Sequence, residues 1–364
     1  MINKKNLPVT LKDFTFHTCI GKGGTAEIFL ADSKKFNCTF VAKVIEIPDK
    51  NSTMIWKMIN AEITSLSVLN HSNIIKCYDN FQIEKQYVII MEYCPNGTLS
   101  NFIPSDVGLD FQVFRPLAYQ IVDALAFCHS KSIAHRDIKL SNIFIDSYRR
   151  MKLADFGLSV HAIQCAKGTH FCGSLVYTAP EILKLKANSP FKADVWSLGV
   201  MYFVMLTGQS PWAGKNTDEI KEKIMKGELN ITKQLPERAL LLINKMVVVD
   251  PDQRISIDQV KSDQLFEEYR NVSPQKRYLP NLCFGLDKKR ASKPGTSSPL
   301  LTNINCSNAS SRCGSTVSSN LRKMRVKSEF RHCSSFKAPR TMISNTSLKK
   351  AHTHKLSSTF YNIQ

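Results

Sequence analysis

Ile133-Ala134-His135-Arg136-Asp137-Ile138-Lys139-Leu140-Ser141-Asn142-Ile143-Phe144-Ile145 is the stretch on which the reading of this chain turns. The His135-Arg136 pair, Asp137, Lys139 and Asn142 are polar groups set between apolar flanks. Unpartnered burial of such groups is costly, so the pattern fits a loop packed at both ends that offers polar side chains to a cleft. Asp137 can accept a hydroxyl proton, Lys139 can neutralise a moving phosphoryl group, and Asn142 can bind a metal through its amide oxygen.

Eighteen residues after Asp137 comes Asp155, within Leu153-Ala154-Asp155-Phe156-Gly157. Its carboxylate is a hard oxygen ligand suited to Mg²⁺, and Phe156 can plug a core cavity. Upstream, Phe40-Val41-Ala42-Lys43-Val44 puts one lysine in an otherwise apolar strand. Pointing inward, that charge needs a partner; the alternative is an outward lysine on an edge strand. Glu62, on the next predicted helix, is the candidate partner. Gly21-Lys22-Gly23-Gly24-Thr25-Ala26-Glu27-Ile28 ends fifteen residues before Lys43. Its glycines would let a hairpin lie close over phosphates with backbone N–H groups facing the anion, although a plain tight turn has the same composition. It opens a hairpin and not a helix, which argues against a dinucleotide fold.

In this order, and followed by Ala179-Pro180-Glu181, these motifs resemble the eukaryotic protein kinase family over residues 14–269. Asp194-Val195-Trp196-Ser197-Leu198-Gly199 resembles the family's central helix, whose Asp ties down the catalytic loop. Arg254 resembles the arginine that pairs with the Glu181 position. The resemblance implies an α+β, two-lobed kinase fold with a small β-rich N-lobe and a larger helical C-lobe. It implies transfer of the γ-phosphate of Mg²⁺-ATP to hydroxyls of protein substrates, and Lys139 with Thr178 matches the serine/threonine branch. By that resemblance Gly21, Lys22, Gly23, Gly24, Ala26 and Ile28 cover the ATP phosphates, with Ile20 beside them, and Lys43 contacts the phosphates while Glu62 orients it. Asp137 is the catalytic acceptor assisted by Lys139, and Asn142 and Asp155 hold Mg²⁺. Ile28, Val41 and Phe144 sandwich adenine, Met91 gates the rear of the pocket, and the backbone around Glu92–Cys94 hydrogen-bonds the base. The rival reading is a pseudokinase, the same fold acting as a scaffold without turnover; the presence of Lys43, Asp137, Asn142 and Asp155 argues against it.

Several positions depart from the family pattern. Ala26 replaces the third loop glycine, and Val41 replaces the usual alanine and narrows the adenine pocket. Thr98, Ser141 and Val204 stand where basophilic kinases carry carboxylates that read substrate arginines. Thr169-His170-Phe171-Cys172-Gly173-Ser174 resembles the activation loops of the calmodulin-dependent and AMP-activated-kinase-related group. There the phosphorylated Thr aligns with His170, one residue from Thr169, and Arg136 supplies the cation to meet a phosphate. An upstream kinase is the partner this implies.

Composition divides the chain in two. The whole carries a formal net charge of +19. Residues 271–364 hold 17 Lys/Arg against 2 Asp/Glu, a net +15, which leaves +4 for the remainder. That tail is rich in Ser and Thr, with basic clusters such as Lys288-Lys289-Arg290-Ala291-Ser292 and Arg322-Lys323-Met324-Arg325-Val326-Lys327-Ser328, and it lacks apolar periodicity. It reads as a disordered extension with phosphosites, with docking of a tail-binding regulator as the second reading. Nucleic-acid binding is the third, disfavoured because no aromatic residues interleave the basic blocks. The 43% hydrophobic content is enough for a sizeable core, so wholesale disorder is excluded. No signal peptide or membrane span is read, and eleven scattered cysteines fit a reducing compartment, cytoplasm or nucleus. Helical spacing predicts helices over 52–69, 114–130, 194–207, 217–226 and 236–248, with strands flanking the glycine cluster and over 86–92.

Overall fold

Alternation of apolar and polar residues along Phe14-Thr15-Phe16 drives one face of a strand into a core, and both phenylalanines are buried. The computed structural model of the chain describes residues 1–48, 52–161, 175–185, 189–212 and 214–272. The N-terminal part is an antiparallel sheet of six strands: β1 (Val9–Leu11), β2 (Phe14–Lys22), β3 (Ala26–Ser33), β4 (Cys38–Glu46), β5 (Cys77–Ile83) and β6 (Gln86–Glu92). Its order is β1-β2-β3-β4-β6-β5. One helix, α1 (Ser52–Val68), is inserted between β4 and β5. The β2–β3 hairpin presents the glycine cluster at its tip, as its composition predicts.

The two faces of this sheet bury different things. One face carries Phe14, Phe16, Phe29, Phe40, Val44, Val88 and Ile90 in a core of their own. Ile2 is sunk into the same core, its N–H donating to Gln86 Oε1 at 2.7 Å while Gln86 Nε2 donates back to the Ile2 carbonyl at 2.9 Å. The chain ahead of residue 14 is thus packed against the sheet, a contact that polar–apolar alternation near the start did not announce. The other core, to which Ile45, Ile59, Leu66 and Ile89 belong, continues into the helical part.

That second part is built on α2 (Phe111–Ser130) and α4 (Pro190–Thr207). Helix α2 begins three residues before the predicted start because Asp110 caps it, accepting from Gln112 N. Helix α4 begins earlier too, with Pro190 at its first turn, where a missing N–H costs nothing. It is predominantly apolar and buried almost throughout, as a helix enclosed by the core must be. It stops at Gly208, whose φ of +71° and close approach to Pro104 exclude a side chain: a Cβ would lie 2.3 Å from the Pro104 carbonyl oxygen. Short hairpins β7 (Ile133–Ala134), β8 (Ile143–Ile145), β9 (Met151–Leu153) and β10 (Val160–His161) line the junction between the two parts. Helices α3 (Pro180–Leu183), α5 (Thr217–Lys226), α6 (Glu237–Met246), α7 (Ile257–Lys261) and α8 (Glu267–Arg270) complete the body. No helix among the described residues is long and apolar enough to cross a membrane. The predicted activation loop and the basic tail lie outside the described residues.

The Glu181–Arg254 pair forms as expected and is completely internal. Arg254, 1% exposed, donates to Glu181 Oε1 at 2.8 Å and Oε2 at 3.0 Å. Its other N–H groups reach the carbonyls of Val248 and Lys192, so all five donors are used, and its plane lies over Trp196. Removing one partner leaves a buried charge uncompensated. Arg254→Met should therefore lower the unfolding free energy by about 3–5 kcal/mol in urea denaturation, and adding Glu181→Leu should recover part of the loss.

Candidate active site

Lys43 faces inward from β4, and the edge-strand alternative falls away because β4 lies between β3 and β6. Its ammonium donates to Glu62 Oε1 at 2.9 Å and Oε2 at 2.7 Å, and to Asp155 Oδ1 at 3.1 Å. Glu62 projects from α1 with only 2% exposed. Burial alone would lower the Lys43 pKa, but the Glu62 and Asp155 carboxylates override it and hold the ammonium well above its ordinary range. Burial likewise works to raise Asp155, and Lys43 outweighs it, leaving the carboxyl below its ordinary value. One face of Asp155 is open, with 48% of its side chain accessible.

The loop after β7 is held by one buried carboxylate. Asp194 of α4 accepts from His135 N at 2.8 Å, Arg136 N at 2.7 Å and His129 Nε2 at 2.9 Å. These bonds hold Arg136 in the left-handed region, φ +67°, a conformation that costs a non-glycine residue about 1–3 kcal/mol. Asp155 has the same φ of +67°. His135 joins the two: its Nδ1 accepts from Asp137 N at 3.2 Å, so Nε2 carries the proton and donates to the Ala154 carbonyl at 3.0 Å. Phe156 is fully buried with its ring 4.7 Å from that of His135.

Asp137 projects from this loop with one oxygen already engaged. Oδ2 accepts from Lys139 Nζ at 2.7 Å and from Asn142 Nδ2 at 2.9 Å. The Asn142 amide also donates to the Asp137 carbonyl, so its nitrogen is spent and its oxygen has no protein donor among the described residues. Asp137 Oδ1 likewise has no donor among the described residues. The Ala154 N–H donates to the Asn142 carbonyl at 3.0 Å, which ties the Asn142 turn to the strand that leads into Asp155.

A cavity of ≈ 460 Å³ lies at the lobe junction, and Ile20, Gly21, Ile28, Val41, Lys43, Glu62, Met91, Glu92, Cys94, Phe144, Asn142 and Asp155 all line it. Gly23, Gly24 and Ala26 line an adjoining space of ≈ 240 Å³ under the hairpin tip, again with Lys43, Glu62 and Asp155. Lys22 is the exception: its side chain is 70% exposed, pairs with Glu27 at 3.4 Å and lines neither space. The cavity also has walls that sequence reading missed. Tyr93, Pro95 and Gly97 follow from adjacency to Glu92–Cys94. Ile75 had no local signal; it arrives because its N–H donates to the Leu153 carbonyl across the two lobes. Cys94 is buried here, and burial together with Glu92 pushes its thiol up to about 12, so it is no nucleophile at neutral pH.

The Protein kinase domain family matches residues 14–266. The chain belongs to the protein kinase domain family. It is 34% identical over 251 residues to a probable serine/threonine-protein kinase MARK-A of Dictyostelium discoideum, a match covering 69% of this chain and 24% of the relative. It is 30% identical over 279 residues to serine/threonine-protein kinase SIK2 of Gallus gallus, covering 77% of this chain and 34% of the relative. The match spans a quarter to a third of the length of these relatives. Both relatives are named as serine/threonine-protein kinases, the first as a probable one.

The charges of this kinase domain define a pH window. Asp155 is depressed, so its contribution to stability is present above the ordinary carboxylate pKa of about 3.9 and is lost as pH falls through the lower folded value. Lys43 is elevated, so its contribution is present below about 10.4 and is lost only as pH rises through the folded value. The difference in unfolding free energy between wild type and Asp155→Asn should be flat from about pH 5 to 9 and collapse below about pH 4 in a denaturation series.

Proposed function

We propose that this chain is a protein serine/threonine kinase that transfers the γ-phosphate of ATP to protein hydroxyls, with Mg²⁺ as its metal. The observation that carries this is the state of Asp137: one carboxylate oxygen is tethered by Lys139 and Asn142, and the other is free for a hydroxyl proton. Three further features fit the nucleotide and its metal. The Cys94 N–H has no backbone acceptor among the described residues, a donor left for the base at the hinge. The open face of Asp155 and the unengaged oxygen of Asn142 are hard oxygen donors of the kind Mg²⁺ takes. Bound there, the metal would neutralise charge on the phosphates.

The chain's own residues do the rest. Ile28, Val41 and Phe144 supply apolar walls to a flat base, and Val41 narrows the slot. Lys43, fixed by Glu62, offers a permanent positive charge to the phosphates. Asp137 orients and takes the proton of the acceptor hydroxyl, and Lys139 balances its charge. Phosphoryl transfer depends chiefly on such positioning and electrostatics. A non-catalytic scaffold would not require this set.

Asp137→Asn should keep nucleotide binding and lower phosphotransfer by about 10²-fold or more, measured on a generic acceptor protein. Full activity in that variant would refute the assignment, and wild-type protein that binds Mg²⁺-ATP without transferring phosphate would favour the scaffold reading.

Substrate choice follows from the groove. Thr98 is hydrogen-bonded to Ser100 at 2.8 Å, and neither it nor Ser141 nor Val204 carries charge. Asp106, one acidic candidate along with Glu228, already accepts from Gln209 at 2.9 Å. A charge-assisted contact contributes about 1.5–3 kcal/mol, so one carboxylate would set most of an arginine preference. Matched peptides with and without upstream arginine should therefore differ by less than about tenfold in kcat/KM at fixed ionic strength. A hundredfold preference would point to an acidic group elsewhere.

A further inference from the structure

Lys152 is the middle residue of β9, and it is 5% exposed. The phosphotransfer geometry does not use it. A lysine this deep must be compensated. It is: the ammonium lies 2.8 Å from Glu92 Oε1 and 2.9 Å from Oε2. Glu92 ends β6 and opens the hinge, and it lines the nucleotide cavity together with Tyr93 and Cys94. Lys152 stands opposite Phe144 in the β8–β9 hairpin and three residues before Asp155. The ion pair therefore crosses from the last strand of the N-lobe to the hairpin that carries one wall of the cavity.

Among the described residues, Glu92 has Lys152 as its one ion-pair cation. Its N–H donates to the Lys76 carbonyl at 2.9 Å, but the Lys76 ammonium lies over the Tyr78 ring. His71, Lys76 and the Lys152–Glu92 pair share a third space of ≈ 230 Å³. Without Lys152 the Glu92 carboxylate loses its ion-pair partner beside the nucleotide cavity that Glu92 borders. A free negative charge there would oppose a polyanionic ligand and would release the hinge backbone from the height at which Phe144 faces the base.

We propose that Lys152 is a positioning residue for the nucleotide: by holding Glu92 it sets the register of the hinge against Phe144 and so determines ATP affinity, not the rate of transfer. The inference rests on the reading of the cavity as a nucleotide site. Its effect belongs to ground-state binding, because neither Lys152 nor Glu92 touches the reacting atoms as placed above. The charge, rather than the length of the side chain, carries the effect.

The test is direct titration of the full chain with Mg²⁺-ATP by calorimetry, alongside steady-state kinetics. Lys152→Met should raise Kd and KM for ATP by about 5–20-fold with kcat within about twofold, and Lys152→Arg should stay within about threefold of wild type. Adding Glu92→Gln to Lys152→Met should recover most of the lost affinity, since the unheld charge is then gone. If Lys152→Met is too unstable to assay, Lys152→Gln, which loses the same charge, should raise Kd by a comparable amount, about 5–20-fold. Wild-type affinity in Lys152→Met or Lys152→Gln, or a loss of kcat without change in Kd, overturns the proposal while the nucleotide reading stands. Failure of the wild-type chain itself to bind Mg²⁺-ATP overturns both.

Discussion

A lysine ammonium buried at the junction of two lobes is the constraint around which this molecule is arranged. Lys43 sits on a central strand, largely shielded from water, and its charge is held by two carboxylates that reach it from elsewhere. Glu62 arrives on α1 and Asp155 on the segment after β9, so the ion cluster joins sheet, helix and loop at a single point. Each of those elements has its own reason to form, but their mutual placement is what the charges require. The same arrangement leaves the positive end of Lys43 beside a cavity sized for a small-molecule ligand.

Asp194 supplies the complementary constraint from below. It is buried in α4 and satisfied by two backbone N–H groups and a histidine, an arrangement that stabilises a carboxylate without a salt bridge to lysine or arginine. Those bonds offset the cost of the left-handed backbone at Arg136 and so aim Asp137. His135 then links this loop to the Ala154 carbonyl, beside Asp155. A proton-accepting carboxylate and a metal-type carboxylate are in this way held by one rigid network, as chemistry that depends on positioning needs.

Much of this was legible in the sequence because the constraints are local or bear on rare residue types. A lysine in an apolar strand, or polar residues spaced through apolar flanks, has few physical explanations, and Lys43, Asp137, Asn142 and Asp155 could be named from those patterns. Helix boundaries were less legible: Asp110 and Pro190 moved two starts upstream through capping chemistry that periodicity does not register. Contacts distant in sequence that no motif marks were not legible. Ile2 in the core beside Gln86, Ile75 in the cavity wall and Lys152 on Glu92 depend on elements brought together by the whole fold. Lys22, included through the resemblance of the whole glycine loop, turns its side chain to solvent at the end of β2.

The central claim is that the Glu62 carboxylate serves the proposed nucleotide site by holding Lys43, and a single-turnover measurement with Glu62→Gln tests it most directly. The amide keeps the shape of the side chain and removes the charge that holds the ammonium. The account predicts that the variant unfolds cooperatively, still binds Mg²⁺-ATP, and transfers phosphate about 10²-fold more slowly, equivalent to roughly 2.7 kcal/mol of lost transition-state stabilisation. A Glu62→Gln chain that transfers phosphate at the wild-type rate would contradict it.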